Sequence, residues 1–406
     1  MPKGNPFQAK KRSIPITPII SELPDLRFKK ILSTHPLVYE AAYIGKNTCP
    51  HCHQTQLKLK DSFWRHFKSG LIFEKCCSIK VRCHKYQCLI CHRYFNTRIS
   101  GIKPWSRSTE PLKRSVFAQY NKGLSITQIA QDFQIGTATV ERYYQQMTLL
   151  ENRKINPQCP KILGIDEHRF TRKQGFATTF CDLKNHKIFD TTLGRSEAAL
   201  KDYLLQLKGK NQVKIICMDL NKIYRNIAKQ WFPKAKIVAD RFHVIRLINE
   251  RFKQWFLDHD NQHLAYNRQG LMRLMTLQKT KLTDHAKKRL DAYFNDHPQA
   301  RSIYHLWQNL TQLLRNKHQN TRECQQHIST YLQYIQLLKL SDFEPLRRLS
   351  KTLTDWKEEI LRMFRYTYSN GMTEGFHRKM KLIQRRAYGF RNFENYRLRV
   401  RVLCGH

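Results

Sequence analysis

From Lys161 onward the apolar positions fall in short unbroken blocks. KILGID, FATTFCDL and KIFDTTL come first; VKIICMDL follows a helical stretch, and AKIVAD follows a second helix that ends at Trp231-Phe232-Pro233. Blocks of this length bounded by turn residues predict strands. Past about Arg241 the spacing becomes helical for over a hundred residues, as in YHLWQNLTQLLRN and WKEEILRMFRY, with no strand signal. The stretch from Pro111 to about Met147 is also helical. Within it, GLSITQIAQDFQIGTATVERYYQQM puts Ile126, Ile129, Ala130 and Phe133 on one face, then a turn centred on Gly136, then Val140 and Tyr143 or Tyr144 on a second face. That spacing predicts a helix-turn-helix, with Thr137 capping the second helix and Ala138, Thr139, Glu141 and Arg142 placed to read base edges. The alternative is an ordinary helical pair packed on a core.

Upstream, residues 46–100 hold strand-like runs, LIFEK and IKVRC, around a cluster of cysteines, and KPWSRSTEP reads as a linker. Residues 1–45 are basic at the start and punctuated by Pro2, Pro6, Pro15, Pro18 and Pro24, which predicts a flexible arm. The expected organisation is therefore an arm (1–45), a zinc-binding module (46–100), a helix-turn-helix domain (108–150), the first part of an α/β core (160–248), a large all-α insertion (249–368) and the C-terminal part of the core with a basic tail (369–406).

Charge narrows the class. Lys and Arg number 73 against 31 Asp and Glu, a formal net charge of +42 in 406 residues, and such a surface attracts polyanions, so DNA or RNA is the expected partner. No stretch of about 18 apolar residues exists to span a membrane. The opening MPKGNPFQAKKRS lacks the apolar run of a secretory signal, so a cytoplasmic location is expected. Seven of the twelve cysteines lie between Cys49 and Cys91, a distribution that favours metal over disulfides. Cys49-Pro-His-Cys52 and Cys88-Leu-Ile-Cys91 supply the four thiolates of a structural Zn²⁺, although Cys76, Cys77, Cys83 and the nearby histidines compete for the role. The scattered cysteines read as small buried hydrophobes.

The strand blocks carry acids. Asp166 follows KILGI and Asp219 follows VKIICM. An acid ending the first strand and another ending the fourth, in the order three strands, helix, strand, helix, strand, is the plan of a ribonuclease-H-like mixed sheet. There the first and fourth strands are neighbours and the two carboxylates converge. A third carboxylate is supplied by SNGMTEGFHRKMKLIQRRAYGFRNF, where Asn370 and Gly371 break the chain and Glu374 sits in the first turn of a helix. Each acid alone reads more simply as a cap or a solvated charge; the order of the three carries the inference. Hard divalent cations take oxygen ligands. Two of them about 4 Å apart stabilise both the attacking and the leaving oxygen of an in-line displacement on a phosphate. Mg²⁺ or Mn²⁺, two per active site, is expected. Glu167 and His168, beside Asp166, are read as pointing away from it. Asp240 and His243, an Asp-x-x-His pair after the fifth strand, either support the active site or brace a strand–helix corner. From Arg378 to Arg401 nearly every third residue is basic, including Arg378, Lys381, Arg385 and Arg386, which suits phosphate contact. The interleaved Tyr388, Phe390, Phe393 and Tyr396 are expected to pack rather than stack on bases.

LGIDEHRF, ICMDLNKIYRNIAKQWFPKAKIVADRFHVIRLIN and SNGMTEGFHRKMKLIQRRAYGFRNFENYRLRV resemble the core of the ISL3 family of bacterial insertion-sequence transposases. The resemblance runs over nearly the whole chain from about Cys49. It implies an Asp, Asp, Glu triad on Asp166, Asp219 and Glu374, a helical insertion before the Glu374 helix, DNA cleavage and strand transfer at the ends of a mobile element, and a dimer or larger assembly on paired ends. The competing expectations are a DNA-binding regulator derived from a transposase and a nuclease that cuts without joining.

Overall fold

The computed structural model describes residues 22–72, 75–259, 270–316, 320–387 and 389–405. The chain divides into two compact units, Met1–Glu151 and Asn152–His406.

In the first unit, β1 (Leu26–Thr34) pairs antiparallel with β2 (Leu37–Tyr43). β2 runs parallel to β4 (Lys75–Cys88), which forms a long antiparallel ladder with β3 (Leu57–Ile72) and also receives the short β5 (Tyr94–Asn96). The arm expected over residues 1–45 is therefore a strand pair over 26–43, while residues 1–21 lie outside the described residues. The prolines mislead because Pro24 and Pro36 stand just outside the strands, where a missing N–H costs no ladder bond. β1 also hides its pattern: of its nine residues only Leu26 is buried, whereas Tyr39 and Ala41 of β2 enter the core.

Three helices follow: α1 (Glu110–Lys122), α2 (Ile126–Asp132) and α3 (Thr137–Lys154). Thr109 and Ser125 cap the first two, their hydroxyls accepting from Leu112 N and Gln128 N. The third begins one residue earlier than expected. Gly136, not Thr137, holds the cap position and its carbonyl accepts from Thr139 N and Val140 N, while Gln134 takes the left-handed conformation of the turn at φ 50°. Ile129, Ala130, Phe133, Val140 and Tyr143 bury together, leaving Glu141 and Arg142 exposed. The β3–β4 hairpin joins this cluster: Cys76 Sγ donates to Phe133 O at 3.1 Å.

The second unit is built on a five-stranded mixed sheet in the order β10-β9-β6-β7-β8. β6 (Ile162–Thr171), β7 (Gly175–Asp182) and β8 (Lys187–Leu193) form an antiparallel meander. After α4 (Glu197–Gln206), β9 (Ile215–Met218) returns parallel beside β6, and after α5 (Lys222–Trp231), β10 (Lys236–Ala239) lies parallel beside β9. The expected strand order is thus observed. Parallel neighbours need crossover helices, and helices on the faces bury both sides, which is why β9 and β10 read as unbroken apolar runs. The chain then turns helical, beginning with α6 (Arg241–His259) and α7 (Leu271–Thr276). α8 (Asp284–Asp296), α9 (Pro298–Arg315), α10 (Thr321–Lys339), α11 (Glu344–Asp355) and α12 (Lys357–Arg365) continue it. It returns to the sheet with α13 (Gly371–Arg386) and α14 (Phe393–Cys404).

Candidate active site

Pairing register alone brings three acids together. Ile165 of β6, Met218 of β9 and Ala239 of β10 are directly paired across three adjacent parallel strands. The next residue of each chain segment is Asp166, Asp219 and Asp240. With strands about 4.8 Å apart, three carboxylates in one row meet where β9 and β10 end beside the middle of β6. Asp166 does not end its strand as expected: β6 continues to Thr171 on β7, and it is β9 that stops level with Asp166.

His243, one turn into α6, closes the row. Its Nδ1 lies 2.7 Å from Asp219 Oδ1 and 2.7 Å from Asp240 Oδ2. A ring nitrogen carries one hydrogen, and the hydrogen bond is made with Asp240. The other oxygen of Asp240 accepts from Ser369 Oγ at 3.0 Å and Asn370 N at 3.1 Å. Asp240, 1% exposed, is thus satisfied on both oxygens. Asp219 Oδ1 is buried without a hydrogen bond. Asp219, Asp240 and His243 present atoms all within 4.8 Å of one another. A buried carboxylate oxygen with no donor is costly unless a cation meets it, so the donor set fits a divalent metal, with Asp219 the carboxylate left available.

The electrostatics agree with that fit. Burial, then the charge of Asp219, pushes the Asp166 carboxyl up to about 7. Burial opposes a charged His243, but the two carboxylates beside its Nδ1, Asp219 and Asp240, outweigh it and raise the imidazole to about 10.

Glu374 lies in the first turn of α13, but its carboxylate is exposed and pairs with Arg378 of the same helix at 2.8 Å. The residue one turn further on makes the approach: His377 Nδ1 is 3.8 Å from Asp166 Oδ2. His377 was not singled out in the sequence, although its spacing of three from Glu374 puts both on one helical face. His168 also needs correcting. Residues two apart in a strand share a face, so it points with Asp166, not away. Its Nδ1 bonds Thr179 Oγ1 and its Nε2 bonds Tyr396 OH, each at 3.0 Å, and its ring centroid is 5.0 Å from that of His377. Burial keeps both imidazoles neutral, His168 down to about 3 and His377 to about 4. Glu167 does face the other way, towards Tyr224 OH at 3.2 Å.

The basic run divides. Lys381, Arg385 and Arg386 are exposed on α13, while Arg397 is bidentate to Asp190 at 2.8 and 2.7 Å and ties α14 to β8. Tyr396 and Phe393 are buried, as expected of packing aromatics; Tyr388 lies outside the described residues.

In the first unit, Cys49, Cys52, Cys88 and Cys91 converge with all sulfurs within 4.8 Å, the closest pairs at 3.5 Å (Cys49–Cys91) and 3.4 Å (Cys52–Cys88). The two knuckles are built alike: His53 and His92, each just after the second cysteine, take φ of 59° and 56°. Burial works against the thiolates, but the N–H groups of His51 and Cys52 outweigh it at Cys49 and bring that thiol down to about 6. Four convergent sulfurs, free of disulfides, are compatible with structural zinc.

Residues 163–400, more than half of the chain, match the DDE-type ISL3 family described as "Transposase". The chain belongs to the ISL3 transposase family. Its members' defining region spans the whole sheet, the helical segment and α13, so all of the acids above fall inside it. Over 367 residues, 87% of this chain and 88% of the relative, it is also 22% identical to the transposase for insertion sequence element IS1001 of Bordetella parapertussis. DDE transposases use divalent metal. No described helix of this ISL3 member is long and apolar enough to cross a membrane.

Proposed function

We propose that the protein is a DNA transposase that binds the ends of its element and cuts and joins DNA strands, with Asp166, Asp219 and Glu374 holding two Mg²⁺ or Mn²⁺ ions. The observation that carries this reading is the buried oxygen of Asp219, which accepts no hydrogen bond and meets only the ionic contact of His243, in a row with Asp166 and Asp240 where β9 and β10 end. When bound, the cations supply charge stabilisation for the oxygens that attack and leave the phosphate. Asp240 is a positioning residue: with both oxygens engaged, it orients His243 and fixes the start of α13. Glu374 completes the ligand set by exchanging its exposed Arg378 partner, a pair that costs little to break. The sheet order supports a ribonuclease-H-like core. α2 and α3 are the helix-turn-helix, with Thr139 and Arg142 reading bases, the four cysteines hold structural Zn²⁺, and Arg378, Lys381, Arg385 and Arg386 contact phosphates. Two ends must be brought together, so the working form is a dimer or larger.

The test compares Asp166→Asn, Asp219→Asn and Glu374→Gln in gel-shift and cleavage assays on the same preparations. An amide keeps the shape but not the charge, so cleavage and joining are lost while end binding persists. A Glu374→Gln variant that cleaves like the parent removes Glu374 from the triad. If Asp240→Asn is dead and Asp219→Asn active, the second ligand is Asp240. Tight end binding by the parent with no cleavage under any divalent ion would favour the regulator, and cleavage without strand transfer the nuclease.

A further inference from the structure

Away from the acids, the helical segment holds a half-open cavity of ≈ 250 Å³ between α8, α9 and the turn before α8. Its lining includes buried Leu282, Leu290, Phe294 and Tyr304, with the rings of Phe294 and Tyr304 4.9 Å apart at 31°. Lys279, Lys287, Arg301 and His305 also border it, with Asp291 the one acid. Tyr304 is 4% exposed, yet its hydroxyl has no hydrogen-bond partner among the described residues. Burying such a group without a partner is unfavourable, and a polar atom of a ligand would supply one. Lys279 Nζ lies 3.0 Å from His305 Nδ1, and burial, then the charges of Lys279 and Arg301, hold His305 below its ordinary value. Lys287 pairs with Asp284 at 2.8 Å, yet the cations Lys279, Lys287 and Arg301 still outnumber the acids Asp284 and Asp291 around the rim, which favours an anion.

The volume is below the roughly 300–1,000 Å³ of drug-sized sites and suits one flat ring system. We propose that this cavity binds a single unstacked nucleotide: the base lies against Phe294 and Tyr304, its polar edge meets Tyr304 OH and Asp291, and its phosphate is held by Lys287, Arg301 and the Lys279–His305 pair. Aromatic walls take any base face, an acid accepts from an exocyclic amine, and lysine and arginine hold phosphate. The inference rests on the DNA-processing reading and adds to it a place where one base leaves the duplex.

The experiment uses the full chain and three duplexes of equal length: fully paired, with one extrahelical 2-aminopurine, and with an abasic residue at that point. The parent is expected to bind the extrahelical-base duplex about tenfold or more tightly than the abasic one, as stacking of one base implies, and to quench 2-aminopurine emission. Arg301→Ala combined with Lys287→Ala should reduce that ratio to less than about threefold while binding to the paired duplex changes little; Lys287 is exposed and Arg301 half-buried with one bond to Asn295, so an unchanged thermal unfolding profile accompanies the comparison. Competition by free dAMP would make the source a free nucleotide, and its failure to compete a base in the strand. Equal affinity for the extrahelical and abasic duplexes, or a ratio unmoved in the double variant, overturns the proposal and leaves DNA binding standing. Absence of binding to all three overturns the DNA reading itself.

Discussion

Lowering the pH should weaken divalent-cation binding at the Asp166–Asp219 site through one proton. Burial and the charge of Asp219 hold the Asp166 carboxyl at about 7. A group with that value is about nine-tenths protonated at pH 6 and about nine-tenths ionised at pH 8. A cation must displace the proton, so the apparent affinity should fall close to tenfold per unit below pH 7 and level off above pH 8. The sign for stability follows from the same shift. The folded chain holds this proton more tightly than the unfolded chain, so ionisation between about pH 4 and pH 7 destabilises the metal-free protein. His243, raised from 6.5 to about 10, works oppositely: its pairing stabilises fully below about 6.5 and the contribution is lost as the pH rises through 10. Mn²⁺ titrations of the zinc-loaded chain by calorimetry, in two buffers of different ionisation enthalpy, would read close to one proton released per site at pH 6 and close to none at pH 8.5. Asp166→Asn should abolish both the release and most of the affinity. Affinity independent of pH between 6 and 8, with no proton released, would refute the reasoning.

Chelation at the four cysteines should remove one zinc per chain, lower end-specific binding and destabilise the first unit while the melting of the second is unchanged; finding no zinc in protein made with zinc supplied would remove the four-thiolate assignment. Glu359→Ala should cost about 3 kcal/mol of stability, the lower end for a broken buried pair. Glu359 is 2% exposed and bidentate to Arg225, whose side chain keeps 20% of its surface in water; denaturant unfolding showing under 1 kcal/mol would contradict this. Arg142→Ala should relax sequence choice at one or two positions, costing about 1–3 kcal/mol there. Arg385→Ala should weaken binding to all sequences and flatten the salt dependence, and equal losses on specific and random DNA from both variants would remove the distinction.

The strands of the second unit were readable because Ile162–Ile165 of β6, Ile215–Met218 of β9 and Ile237–Ala239 of β10 are buried and apolar, and the acids follow those runs directly. The row Asp166, Asp219, Asp240 was half legible: strand ends could be placed, but equivalence of Asp219 and Asp240 as ligands is broken only by Ser369 and Asn370, 129 and 130 residues away from Asp240 in the chain. Still longer separations, 198 and 228 residues, hid the contacts of His377 with Thr179 and of Tyr396 with His168, which join α13 and α14 to β7 and β6. Arg397 read as one more cation in a basic run because its partner Asp190 lies 207 residues upstream. In the first unit, β1 and β2 escaped notice because most of their residues face solvent or are half-buried, so little apolar periodicity remains to be read.

The helical segment leaves and re-enters the sheet at nearly one point. It departs at Asp240 and returns at Ser369 and Asn370, which donate to the same Asp240 oxygen. Asn370 Nδ2 also donates to Ile165 O at 2.9 Å, one residue before Asp166. This contact depends on Gly164: a Cβ there would stand 2.5 Å from Asn370 Oδ1 and 2.8 Å from Leu183 Cδ2, so a side chain would push α13 off the strand. With its two ends pinned by hydrogen bonds to the sheet, the intervening chain can vary in length at small entropic cost, since closure of a loop grows only with the logarithm of its length. The start of α13, and with it Glu374 and His377, is held against β6 by these bonds and not by the far end of the helices. The acids can therefore keep one geometry while the helical segment takes on separate work of its own.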